Sequence, residues 1–162
     1  MHFSMGTEYA IHGLLYLALK DPGEVVYVRD IANAQNVSET YLAKVFQQLA
    51  RSGLVTSYRG AKGGFALARP PEQITLRKII EATEGSSPLF NCLQNRRDCK
   101  LGDDCEIRKV MSRVEKMMLE VLDGTSLVDI LDSFRGHEEE VGWLTQLLAE
   151  RHGKDSDEKH GE

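Results

Sequence analysis

The amino-acid sequence predicts a mainly α fold: a winged helix–turn–helix with a two-stranded wing, followed by a long dimerisation helix. Three stretches predict it. Residues 28–52 read as a short helix, a turn and a capped amphipathic helix, and residues 54–68 as two alternating runs around a glycine-rich basic tip. Residues 106–123, beyond a Pro-Pro linker, carry an unbroken helical pattern.

The first helix is expected over residues 5–20. Tyr9, Ile11, Leu14, Leu15, Tyr16, Leu17 and Leu19 leave it few polar positions, so most of its surface should be buried. Asp21-Pro22-Gly23 ends it. Val28, Ile31 and Ala32 supply the apolar contacts of a short helix at 28–34, and Asn36 suits the turn that follows. Ser38 is a good N-cap for a helix over 38–52, in which Leu42, Val45, Phe46 and Leu49 repeat at i, i+3, i+4, i+7. Thr40, Lys44, Gln47 and Arg51 then point the other way, and Gly53 stops the helix. Leu54–Tyr58 and Phe65–Ala68 form a hairpin with a long loop.

After Pro70-Pro71 a helix near 75–84 carries Leu76, Ile79 and Ile80. A loop over roughly 89–105 leads into the long helix, whose Ile107, Val110, Met111, Val114, Met117, Met118, Val121 and Leu122 fall on one stripe. Thr125 is expected to cap a short apolar turn, Leu127–Leu131. Residues 137–150 suit a further helix with Trp143, Leu144, Leu147 and Leu148, and the last ten residues are polar enough to be disordered. Three units result: a winged domain at 1–69; a linker helix, cysteine loop and dimerisation helix at 70–132; a C-terminal helix and polar tail at 133–162.

Bulk composition narrows the function classes. No apolar run approaches the roughly 20 residues that cross a bilayer. The N-terminus lacks a basic region and a cleavage site, so no secretory signal is expected. Three cysteines cannot all pair within one chain, which argues against a secreted disulfide framework and for a reducing cytoplasm. The net charge of −5 is uneven, because residues 1–70 hold seven Lys/Arg against five Asp/Glu and the remainder thirteen against twenty. From 38 to 69 the only acid is Glu39, against Lys44, Arg51, Arg59, Lys62 and Arg69. That gathering of positive charge fits double-stranded DNA.

On the geometry of such a module, Ser38, Thr40, Tyr41 and Lys44 are the expected groove contacts. The wing tip combines Arg59 and Lys62 with three glycines that permit close backbone approach, and Arg59 is long enough to enter a minor groove. A winged helix that binds protein instead would leave this basic face incidental. The long apolar stripe suits a symmetric homodimer, which also matches two DNA half-sites; the alternative is core packing within one chain.

Cys92, Cys99 and Cys105 are the only cysteines, all in one loop rich in Asn, Asp and Gly. Their spacing lacks the close pairs of zinc ribbons. Thiolate sulfur suits an iron–sulfur cluster, with an imidazole or carboxylate completing the ligand shell. Glu8 and His12, four apart on one helix face, could supply it; otherwise they are a hydrogen-bonded surface pair. His2, His137, His152 and His160 are expected in solvent. A metal-free loop or a thiol switch also fits the cysteines. A small thiol-redox or electron-transfer enzyme is the rival from another class, but neither a CxxC motif nor a nucleophile–base arrangement is present.

Over residues 1–132 the chain resembles the Rrf-two family of winged-helix transcription regulators. The resemblance is carried by EYAIHGLLYLAL, VSETYLAKVFQQLARSGLVTSYRGAKGGFALARP, ITLRKIIEATEG and the three-cysteine loop. It implies a homodimer on palindrome-like operators, with the helix from Ser38 and the wing carrying Arg59 against DNA, a regulator and not an enzyme. Such proteins hold a cluster at the subunit boundary that alters DNA affinity when it is gained, lost, oxidised or nitrosylated. The IscR-like pattern has a histidine three residues after the third cysteine; here that position is Arg108. Glu8 and His12 match the RsrR-like pattern, which implies a [2Fe–2S] site completed by two cysteines of the other subunit, Cys92 and Cys105 rather than Cys99. The NsrR-like pattern instead implies [4Fe–4S] with an acid at the Glu8 position.

Overall fold

The computed structural model describes residues 3–60, 63–88, 90–93, 104–134 and 142. Three helices lead: α1 (Met5–Ala18), α2 (Val28–Ala34) and α3 (Glu39–Arg51). Strands β1 (Val55–Tyr58) and β2 (Gly64–Leu67) pair antiparallel, with Val55 opposite Leu67 and Tyr58 opposite Gly64. A 3-10 turn at Pro71–Gln73 precedes α4 (Leu76–Glu84), and another at Asn91–Leu93 precedes α5 (Glu106–Asp123) and α6 (Leu127–Ser133). This is a mainly helical winged helix–turn–helix, as the sequence predicts.

Burial explains the order of the elements. Leu14, Leu15, Ile31, Leu42, Phe46, Leu49 and Leu54 are sealed from solvent where α1, α2, α3 and β1 meet. Ile74, Ile79 and Leu127 join the same cluster, so α4 and α6 close the core from the far side. Truncating a buried ring such as Phe46 to Ala costs about 3–5 kcal/mol by transfer and cavity terms. Two glycines let α1 lie close on α3. A Cβ at Gly13 would stand 2.7 Å from the Phe46 ring, and one at Gly6 would meet the Tyr41 hydroxyl at 3.3 Å.

The wing is tied back to the chain before α2. Val26 and Phe65 exchange backbone hydrogen bonds of 2.9 and 2.8 Å, and a Cβ at Gly64 would run into the Val26 carbonyl. Asn36, in the turn between α2 and α3, takes a left-handed φ of 52° that asparagine tolerates. Ser38 occupies the N-cap position of α3 in extended conformation, although its hydroxyl makes no capping bond.

Two local expectations change. The turn after α5 is a helix, α6, and Ser126 caps it in place of Thr125. The Ser126 hydroxyl accepts from Asp129 N–H at 3.3 Å while the Asp129 carboxylate accepts from Ser126 N–H at 2.7 Å, a reciprocal pair that Thr125 cannot make. Thr125 instead donates to the Val121 carbonyl. The α5 stripe also divides: Met118 and Leu122 are half-buried and line a groove beside Ile80 of α4, while Ile107, Val110, Val114, Met117 and Val121 face outward. Of the helix expected at 137–150 only Gly142 is described, in helical conformation; Trp143, Leu144, Leu147 and Leu148 lie outside the described residues.

Candidate nucleic-acid interface and metal-ligand side chains

Helix α3 turns Leu42, Val45, Phe46 and Leu49 into the core, which forces its other face into solvent. Ser38, Thr40, Tyr41 and Lys44 all stand on that exposed face, at or near the helix N-terminus. Arg59 is exposed at the wing, next to Gly60 with φ 103°. Lys62 lies outside the described residues. Glu39 at the helix head and Tyr58 and Gly60 of the wing border one groove, and Lys44 and Arg59 are exposed on the two elements.

Tyr41 is held more closely than a free base-reading side chain. Its ring meets Tyr9 of α1 edge to face, centroids 5.9 Å apart and planes at 84°, leaving it 42% exposed. Such a pair is worth about 0.5–1.5 kcal/mol beyond area burial. Two exposed residues at the head of α2 extend the same surface. Arg29 lies over the Tyr27 ring at 5.8 Å, beside a groove of about 530 Å³ bordered by Glu39, Tyr58 and Gly60. The signal for them was the Tyr27–Asp30 stretch YVRD, an aromatic and a cation opening a helix where an apolar contact would be expected.

Glu8 and His12 share one face of α1, Glu8 exposed and His12 half-buried. Burial pushes the His12 imidazole below its ordinary pKa, and the neighbouring Glu8 carboxylate offsets part of that. A neutral imidazole is the form that binds a metal. Cys92 sits in the 3-10 turn that packs against α5, and Cys105 is the N-cap residue of α5; both are half-buried free thiols. Cys99 and the remaining four histidines lie outside the described residues.

No three His, Cys, Asp or Glu side chains gather closely enough to hold a metal among the described residues. The donors fit an iron–sulfur group by chemistry, two sulfurs with one imidazole and one carboxylate, but within one chain no three of them gather. None of the described helices is long and apolar enough to cross a membrane.

A family model described as Rrf2, an iron-dependent transcriptional regulator, matches residues 3–133. The regulator NsrR of Geobacillus kaustophilus is 32% identical over 154 residues, 94% of this chain and 100% of that one. The solved structure of T. potens IscR superposes with a TM-score of 0.62 at 32% identity, covering 82% of this chain and 88% of that chain. An oxidized form of Staphylococcus aureus CymR superposes with a TM-score of 0.61 at 28% identity, over 80% and 95% of the two chains.

Proposed function

Because this chain belongs to the Rrf2 family of transcriptional regulators, we propose that it acts as a homodimer whose operator affinity is set by an iron–sulfur cluster held between the two subunits. It is a DNA-binding winged-helix regulator, of a family of regulators rather than enzymes. The cluster, the dimer and the individual contacts are the proposal.

One observation carries it: the outward stripe of α5. Ile107, Val110, Val114, Met117 and Val121 recur at the spacing of a coiled-coil seam and are 42–67% exposed. Burying such a side chain is worth roughly 1.5–3 kcal/mol. A second copy laying the same stripe against this one buries both at once. Cys105 opens α5 and Cys92 packs beside it, so docking of the seam carries both thiols toward the other chain. There Glu8 and His12 of α1 complete four donors, a set suited to [2Fe–2S]; three thiolates with Glu8 would suit [4Fe–4S]. We favour the former because Glu8 and His12 share a face.

When bound, the cluster supplies a charge and ligation state that change with redox conditions, nitric oxide or iron supply. The chain's own residues carry the consequence to DNA. Gly6 and Gly13 bring α1 against α3, and Tyr9 abuts Tyr41, so a displacement of Glu8 and His12 moves the helix that enters the major groove. Ser38, Thr40, Tyr41 and Lys44 meet base edges and phosphates; Arg59 and Lys62 of the wing, with Arg29, follow the flanking backbone.

Iron and acid-labile sulfide analysis of anaerobically purified protein tests the reading. Wild type is expected to contain both and to absorb visible light, and Cys92→Ala to lose that absorbance. An unchanged Cys92→Ala spectrum would remove Cys92 from the ligand set. Metal-free wild type whose DNA binding changes on thiol oxidation would establish a cysteine-oxidation sensor instead, the reading favoured by half-buried free thiols at both ends of the loop.

A further inference from the structure

The first turn of α1 and the last turn of α4 are joined by a polar knot for which DNA contact and metal ligation leave no role. Glu84, the last residue of α4, accepts three hydrogen bonds at one oxygen: from the Ser4 N–H at 2.8 Å, from the Ser4 hydroxyl at 2.6 Å and from the Thr7 hydroxyl. Thr7 Oγ1 also lies 2.7 Å from Thr83 Oγ1. A hydroxyl has one hydrogen, so with Thr7 committed to Glu84 the single Thr83 hydrogen is shared between Thr7 and the Ile79 and Ile80 carbonyls, 3.1 and 3.2 Å away. Thr7 is 1% exposed, the one buried polar side chain among the described residues. This is an unusual investment at the end of a helix. Ser4 stands at the N-cap of α1 yet makes no side-chain capping bond, so the carboxylate from α4 takes over as anchor and sets negative charge at the positive helix end.

The position of the knot gives it a consequence. Glu8 directly follows Thr7, one turn before His12. Gly85, at φ 83°, directly follows Glu84 and starts the segment that leads to Cys92. We infer that Glu84 is a positioning residue for the metal-ligand pair: with Thr7 and Thr83 it holds rigid the turn of α1 that presents Glu8. The inference rests on the cluster reading above. Groups that fix a ligand's orientation without touching the metal typically govern its affinity 10- to 100-fold.

The test uses the full chain, with two variants that break the knot, Glu84→Ala and the nearly isosteric Thr7→Val, and one that keeps an acceptor, Glu84→Gln. Ser126→Ala, which weakens the α6 cap beside Thr75 at the other end of α4, controls for lost stability alone. In metal-free protein, hydrogen–deuterium exchange of the amides of residues 5–9 should speed up about tenfold in the two breaking variants and little in Glu84→Gln. In iron-loaded protein, release of iron to a ferrous chelator should speed up about tenfold in the same two, be restored in Glu84→Gln and stay unchanged in Ser126→Ala. Release at the wild-type rate despite faster exchange overturns the positioning role. Unaltered exchange in the metal-free breaking variants overturns the knot itself. Iron-free wild type with accelerated exchange in the variants overturns the cluster reading while leaving the knot as a helix anchor.

Discussion

At the scale of single residues, charge and burial make separable demands. Lys44 and Arg59 are both exposed, seal no core contact, and in the proposed DNA complex neutralise phosphate. Replacing either with Ala should weaken operator binding across sequences and lower the slope of log affinity against log salt by about one, measured by fluorescence anisotropy between two salt concentrations. An unchanged slope would remove that residue from the phosphate contacts. His12 makes the opposite kind of demand. Burial lowers its folded pKa below the ordinary 6.5, so the folded state resists the proton that the unfolded chain accepts. Above pH 6.5 both states are neutral and stability is unaffected. As pH falls through 6.5 toward the lowered folded value the metal-free protein loses stability, and below that value the loss levels off. Thermal melts of metal-free wild type and His12→Gln should diverge in this window, with the variant less sensitive to acid.

Residue roles were unevenly legible. Ser38, Thr40 and Lys44 could be placed on the solvent face because the apolar repeat of α3 fixes the opposite one. Thr7 reads as an ordinary polar residue, and nothing near it in the chain announces that Thr83 and Glu84 bury it.

Among the elements, periodicity carried most of the information. The helices at 28–34 and 106–123 run as the pattern has them, since caps, glycine stops and apolar spacing are local properties. Contacts between distant segments leave no such trace, so the division of the α5 stripe between α4 and solvent, and the close crossing of α1 and α3, become visible only in the fold. That crossing gives an element-scale prediction. Gly→Ala inside a helix ordinarily gains up to about 1 kcal/mol. At Gly13 the added methyl would meet the Phe46 ring at 2.7 Å, and overpacking costs about 1–3 kcal/mol. Gly13→Ala is therefore expected to lower the melting temperature and, through α3, to weaken DNA binding. A raised melting temperature would mean that α1 and α3 lie further apart than described.

For the whole molecule the proposed dimer rests on the exposed apolar stripe of α5. A charge at its centre should be intolerable in a dimer and harmless in a monomer, because Val114 is exposed in the single chain. Val114→Glu is expected to elute as a folded monomer on size exclusion with light scattering, and to bind a two-half-site operator on the order of a hundredfold more weakly as the second reading head is lost. A dimer that survives the substitution would place the contact elsewhere.

The claim that ligands for one cluster come from two chains is tested most directly by mixing two crippled subunits. One carries Glu8→Ala and His12→Ala, the other Cys92→Ala and Cys105→Ala, so neither homodimer retains a complete site. In the heterodimer one site loses all its donors and the other regains Glu8, His12, Cys92 and Cys105. Anaerobically purified heterodimer is expected to recover about half the visible absorbance of wild type, as one site of two. Heterodimer without visible absorbance, alongside a fully coloured wild type, would contradict it.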